Sequence, residues 1–145
     1  MTHEEYKKHE EYVFDYLLKK YSWQISTTPH FALIDGFATM NNEVTHIIEF
    51  KSRNESYQSL LRFETYLISY DKLVNGVKMS QMMMVPFILI VYCNKDKTVL
   101  GIEIGDQNGI HVPHQIKETM TQQSIDGGQV VRKNAFIDID NFYIL

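Results

Sequence analysis

The stretch FALIDGFATMNNEVTHIIEFKSR, residues Phe31–Arg53, decides the fold. It reads as two short strands joined by a tight turn. Ala32–Phe37 is apolar apart from Asp35 and Gly36, Asn41-Asn42 is turn chemistry, and Val44–Phe50 is apolar and β-branched up to Glu49. Asparagine suits the turn because it tolerates left-handed backbone angles. Two carboxylates, Asp35 and Glu49, therefore fall in strands whose neighbours ask to be buried. A buried charge costs several kcal/mol unless a partner compensates it. Lys51 follows Glu49 by two residues, so on a strand both side chains share a face. Asp35 joins them only if the hairpin register sets it opposite Glu49. A two-residue Asn41-Asn42 turn would pair it with Ile48 and send the acids to opposite faces. An odd loop or a bulge meets the condition, and the expectation here is the three-residue loop Asn41-Asn42-Glu43.

Two acids and a lysine on one face are the parts of a metal-assisted hydrolysis. Hard cations such as Mg²⁺ take oxygen ligands, commonly one or two carboxylates with waters and a substrate phosphate. A lysine beside the ion orients or deprotonates the attacking water and stabilises charge developing on the phosphate. Asp35, Glu49 and Lys51 are accordingly the candidate catalytic residues for phosphodiester hydrolysis, with Asp35 and Glu49 on the metal.

Asp35, thirteen intervening residues and then Glu49-Phe50-Lys51 resemble the PD-(D/E)XK nuclease superfamily, which includes restriction enzymes, archaeal Holliday-junction resolvases and small phage-encoded nucleases. The resemblance implies a restriction-endonuclease-like α/β fold. Its αβββαβ core, a central mixed sheet flanked by helices, would cover roughly residues 3–105, with extra strands in the C-terminal part. The stretch Thr121–Ile137, with Gly127-Gly128 and Arg132-Lys133-Asn134-Ala135, looks like the tail of phage members. Ile34 replaces the proline of the family's name. The Gln-x-x-x-Tyr motif of one branch is missing, since Gln58 is followed four residues later by Arg62. The resemblance further implies a Mg²⁺-dependent endodeoxyribonuclease leaving a 5′-phosphate, with Mn²⁺ able to substitute. The carbonyl of Phe50 would assist in holding the metal. Related nucleases often place a third acid from the first helix at the ion, and Glu10 is the candidate here, the alternative being a boundary residue that reaches solvent or pairs with Lys7.

The 145-residue length fits one domain, residues 1–145, with room for a real core. A single cysteine, Cys93, rules out an internal disulfide framework and fits a reducing cytoplasm. The N-terminus is charged from His3 onward, unlike a signal peptide, and Val85–Cys93 is too short to span a membrane. The net charge of −4 is unusual for a DNA enzyme, because affinity usually comes from lysines and arginines on phosphates. Residues 51–78 lean basic, however, with Lys51, Arg53, Arg62, Lys72 and Lys78 against Glu55, Glu64 and Asp71. Arg53 and Lys72 are the candidate nucleic-acid contacts, and a small footprint is expected. Substrate choice would come from DNA shape, or from a homodimer setting two sites on two strands. The sequence does not separate DNA from RNA. A reading from another class keeps the fold as a catalytically silent nucleic-acid or protein-binding module.

Helical spacing of Tyr6, Val13, Leu17 and Tyr21 predicts a first helix over His3–Tyr21, with Thr2 as its cap. Ser22–Thr28 is expected as a strand ended by Pro29. Ser56 caps an expected long helix over about Tyr57–Lys72, whose apolar stripe is Leu60, Leu61, Phe63, Leu67 and Ile68. An Asn75-Gly76 turn follows, then a short methionine-rich helix over Ser80–Met84. Phe87–Cys93 reads as a strand buried on both faces, and Val99–Ile104 as its hairpin partner near an edge. A short helix is expected over Gln115–Gln123 and a short strand over Gln129–Arg132. His30 and His46 read as structural. His111 and His114 lack the cysteine or second pair that a zinc site would need.

Overall fold

The computed structural model describes residues 1–29, 34–122 and 129–145, so His30 and the Gly127-Gly128 turn lie outside the described residues. At its centre is the hairpin of β2 (Gly36–Met40) and β3 (Glu43–Arg53). Its loop corrects the expectation. Met40 pairs with Glu43, leaving a two-residue turn of Asn41 and Asn42, both left-handed at φ 51° and 65°. Left-handed angles at both positions give the hairpin turn whose twist matches the strands. The parity comes instead from a bulge. Thr39 pairs with Val44 but Ala38 pairs with His46, so Thr45 is an extra residue in β3. The register then reaches Gly36 opposite Ile48, and its continuation carries Asp35 across from Glu49.

β1 (Gln24–Thr27) flanks β2, and β5 (Phe87–Cys93) runs parallel to β3 on its other side. β6 (Thr98–Asp106) follows antiparallel, with β7 (Gly109–Ile110) and β10 (Tyr143–Ile144) both pairing with it. The result is a mixed sheet in the order β1-β2-β3-β5-β6-β10, with the expected near-edge position for β6. Gly36 sits where β1 and β2 approach closely: a Cβ there would lie 2.6 Å from the Ser26 carbonyl oxygen.

Helix α1 (His3–Tyr21) begins at Thr2, whose hydroxyl accepts from Glu5 N–H while the Glu5 carboxylate accepts from Thr2 N–H. Its Val13 and Leu17 bury against Ala38, Ile48, Phe50, Ile88, Ile90 and Tyr92 on one face of the sheet. His46 lies beside Trp23, with ring centroids 4.7 Å apart, which fits the structural reading of that histidine.

The expected long second helix does not form as one element. α2 (Tyr57–Arg62) is capped by Ser56 as anticipated, but Glu64 turns left-handed at φ 64°. Thr65–Ser69 then becomes a strand, β4, and α3 (Tyr70–Met83) starts at a second serine cap, Ser69. Asn75-Gly76 lies inside α3, so the predicted turn there is also corrected. A Cβ on Gly76 would meet the Phe87 ring at 2.2 Å, and the glycine lets helix and sheet close on each other. Met79 and Met83 pack against the core, whereas Met82 and Met84 face outward.

Gln115–Gln122 is likewise a strand, β8, in place of the expected helix, and the short strand at Gln129 extends to Asp138 as β9. β4, β9 and β8 form a second antiparallel sheet in the order β4-β9-β8. Both sets of strands share one core. Tyr66, Ile68, Ala135 and Ile137 pack with Leu73 and Val77 of α3 and with Ile47, Leu89 and Val91 of the central sheet. The shared cause of these corrections is long-range pairing. A β4 or β8 strand is favourable only beside β9, and local periodicity carries no record of that partner.

Candidate active site

β3 alternates its side chains. Ile47 enters the core beneath α3, while Ile48 and Phe50 enter the core beneath α1. Glu49 and Lys51 share the parity of Ile47 and so point to the α3 side. Asp35 lies just beyond the end of β2, where its loop is pinned at two points. Thr28 N–H donates to the Asp35 carbonyl at 2.9 Å, and the Thr28 hydroxyl donates to the Ile34 carbonyl. Ile34, at the position of the missing proline, is buried and anchors the same loop.

The strands separate beyond Gly36, and side chains take over the main-chain groups of β3. Phe50 N–H donates to Asp35 Oδ2 at 2.9 Å, and the Phe50 carbonyl accepts from the Tyr6 hydroxyl at 2.8 Å. Glu49 is 1% exposed and stands among charges. Lys51 Nζ is 3.3 Å from Glu49 Oε1, and Lys72 Nζ lies 3.6 Å from Glu49 Oε2 and 3.8 Å from Asp35 Oδ1. Glu49 Oε1 nevertheless makes no hydrogen bond, because the lysine contact has ion-pair distance without hydrogen-bond geometry. Burial foremost, then the Asp35 charge, push the Glu49 carboxyl up to about 7, with Lys51 and Lys72 pulling the other way.

Glu10 reaches this site from α1. Burial and then the Asp35 charge raise its carboxyl above the ordinary range. A cleft of about 800 Å³, lined by His3, Tyr6, Lys7, Glu10, Thr28 and Asp35, opens between the start of α1 and the end of β1. The Tyr6 phenol is also held above its usual range, by burial first and then by Asp35, Glu10 and Glu49.

The sequence-derived residues are thus brought together, with differences in detail. Lys72, anticipated as a phosphate contact, stands against both carboxylates from the first turn of α3. Arg53 turns its guanidinium over the Tyr66 ring, 5.2 Å from the centroid, and its Nη1 donates to the Ser52 carbonyl. Glu55 makes no ion pair with Arg53 and accepts from the Ser59 hydroxyl. Tyr6 was legible only as a member of the α1 apolar stripe, and nothing in its spacing marks its hydroxyl. A separate group, exposed Glu103 and His111 with half-buried Asp106, has ligand atoms within 4.8 Å of one another. His111 Nε2 there sits 2.5 Å from a Glu103 oxygen, so the two already satisfy each other.

The site residues fit a divalent cation. Two carboxylates face each other, one of them buried with an orphaned oxygen, and a cation between them would offset what two partly exposed lysines do not.

A carboxylate pair and a lysine at the open end of a mixed-sheet hairpin, with helices on both faces, define a PD-(D/E)XK-type nuclease. The chain belongs to the family described as "Phage putative PDDEXK endonuclease", whose model matches residues 3–113. Its fold is similar to that of Hjc, a Holliday junction resolvase from the archaeal hyperthermophile Archaeoglobus fulgidus. The TM-score is 0.55 at 13% identity, over 95% of this chain and 92% of that one. No curated protein sequence matches it.

Proposed function

We propose that the chain, as a single domain, is a Mg²⁺-dependent endonuclease that hydrolyses DNA phosphodiester bonds in the cytoplasm of the cell that makes it. The observation that carries this reading is the buried Glu49 oxygen, without a hydrogen bond, beside Asp35. Asp35, Glu49 and the Phe50 carbonyl would hold the ion, and Glu10, which lines the cleft with Asp35, would add a third acid. A divalent ion there supplies Lewis-acid polarisation of the phosphate and acidifies a bound water.

The chain's own residues do the rest. Lys51, 3.3 Å from Glu49 and about one-third exposed, orients the attacking water and offsets charge on the phosphate. Lys72 holds the two carboxylates together against their mutual repulsion and presents a positive charge to the incoming strand. Arg53, aligned along the same strand face, contacts a neighbouring phosphate. Mn²⁺ substitutes for Mg²⁺, because both accept octahedral oxygen sets.

The test is cleavage of supercoiled plasmid, four-way junction, single-stranded DNA and RNA, each with Mg²⁺, Mn²⁺ or EDTA. Asp35→Ala and Lys51→Ala run beside the native chain. Metal-dependent cutting lost in both variants supports the reading, and the preferred substrate separates DNA from RNA and junction from duplex. Absence of cutting together with absence of metal binding in calorimetry sinks it.

A further inference from the structure

Among the groups facing the site, the Tyr6 hydroxyl has no part in the reaction described above, yet it makes one of the few long-range side-chain bonds there. It reaches from α1 to the Phe50 carbonyl at 2.8 Å, across 44 residues of sequence. Its ring packs edge-on against the Phe50 ring, with centroids 5.6 Å apart. The N–H of the same residue 50 is held by Asp35 Oδ2 at 2.9 Å. The β2 ladder stops at Gly36 opposite Ile48, so on that side of β3 these two side chains take the place of a strand at the Phe50 peptide groups, while β5 pairs along the other side.

A carbonyl oxygen carries two lone pairs, and a hydrogen bond to one leaves the other free for an ion. Partners of this kind fix the orientation of a metal ligand, and their loss typically costs about 10–100-fold in metal affinity. We propose that Tyr6 is a positioning residue that aims the Phe50 carbonyl at the metal site, so that docking of α1 is coupled to metal affinity. This rests on the metal-dependent reading given above.

The same helix provides the control. The Tyr16 hydroxyl also donates to a main-chain carbonyl, that of Leu145, at 2.7 Å, with no site residue at that contact. Tyr6→Phe and Tyr16→Phe each remove one oxygen and keep the ring. Binding of Mn²⁺ and Mg²⁺ alone, without nucleic acid, is measured by calorimetry on the native chain and both variants. The half-saturating metal concentration for cutting is measured alongside.

In Tyr6→Phe, metal affinity should fall about 10–100-fold. The half-saturating concentration should rise by the same factor, with the rate at saturating metal kept within a few-fold. Tyr16→Phe should match the native chain in all three. Unchanged metal affinity in Tyr6→Phe overturns the proposal while leaving the nuclease reading intact. An equal loss in both variants also overturns it, because loosening of α1 then accounts for the effect. A native chain that neither binds metal nor cuts overturns the nuclease reading itself.

Discussion

Glu49 concentrates the chemistry at the scale of single residues. Its carboxyl, raised to about 7 in the folded, metal-free protein, exceeds its ordinary value of 4.5. The folded state then holds a proton that the unfolded chain has released. Stability is greatest below about pH 4.5 as far as this group is concerned, and is lost as pH rises toward about 7. Each unit of such a shift corresponds to about 1.4 kcal/mol. Thermal melts in EDTA should show this decline. Glu49→Gln should flatten it, and saturating Mg²⁺ should restore stability at neutral pH in the native chain alone. Lys51→Ala should keep metal binding while cutting falls about 10²–10³-fold, the scale of losing one charge-stabilising donor. Calorimetry and single-turnover cutting check the two halves. Tyr66 carries a buried hydroxyl with no hydrogen-bond partner. Tyr66→Phe is therefore expected to be neutral or to stabilise by up to about 1 kcal/mol in urea unfolding, since an unpaired buried hydroxyl contributes desolvation cost alone.

At the scale of elements, two packing constraints hold the site in place. α3 delivers Lys72 to the carboxylates because Gly76, one turn on, lets the helix close on Phe87. Helix propensity alone predicts that Gly76→Ala stabilises by about 1 kcal/mol. The 2.2 Å approach of a Cβ to the Phe87 ring predicts the reverse, a loss of about 1–3 kcal/mol from overpacking. Equilibrium unfolding decides the sign, and adding Phe87→Leu to Gly76→Ala should recover part of the loss. The hairpin is the second constraint. Thr45 is the extra residue that the bulge absorbs, so deleting it leaves Ala38 opposite His46 and Asp35 still across from Glu49. The deletion should therefore keep metal binding in calorimetry, while circular dichroism still reports a folded α/β chain.

Across the whole molecule, a net charge of −4 limits electrostatic capture of nucleic acid. Among the described residues the cations at the site or its cleft include Lys7, Lys51, Lys72 and Arg53, and Lys51 and Lys72 already stand beside carboxylates. Binding measured with Ca²⁺ in place of Mg²⁺ should therefore depend weakly on salt. A log–log slope no steeper than about −4 is expected, at about −0.9 per phosphate neutralised. Removal of the divalent ion should weaken binding further, because two uncompensated carboxylates then face the phosphate. A steep slope in EDTA would point instead to a basic surface elsewhere.

The motif residues were legible in the sequence because their chemistry is conspicuous: Asp35, Glu49 and Lys51 are charged groups inside apolar strands. α1, β5 and the β2–β3 hairpin were legible because each is specified by local periodicity and caps. What only the tertiary structure decided is whatever depends on a distant partner. Thr65–Ser69 and Gln115–Gln122 are strands because β9 lies between them, and the helical spacing of Leu60–Ile68 could not reveal that. The acids share a face through a bulge rather than a longer loop, because Asn41-Asn42 satisfies the tightest turn and the extra residue moves into β3. Lys72 was visible as a candidate phosphate contact and Tyr6 as a core aromatic. Folding set the one against two carboxylates and the other on a carbonyl, because α1 and α3 close on opposite faces of the strand that ends in the site.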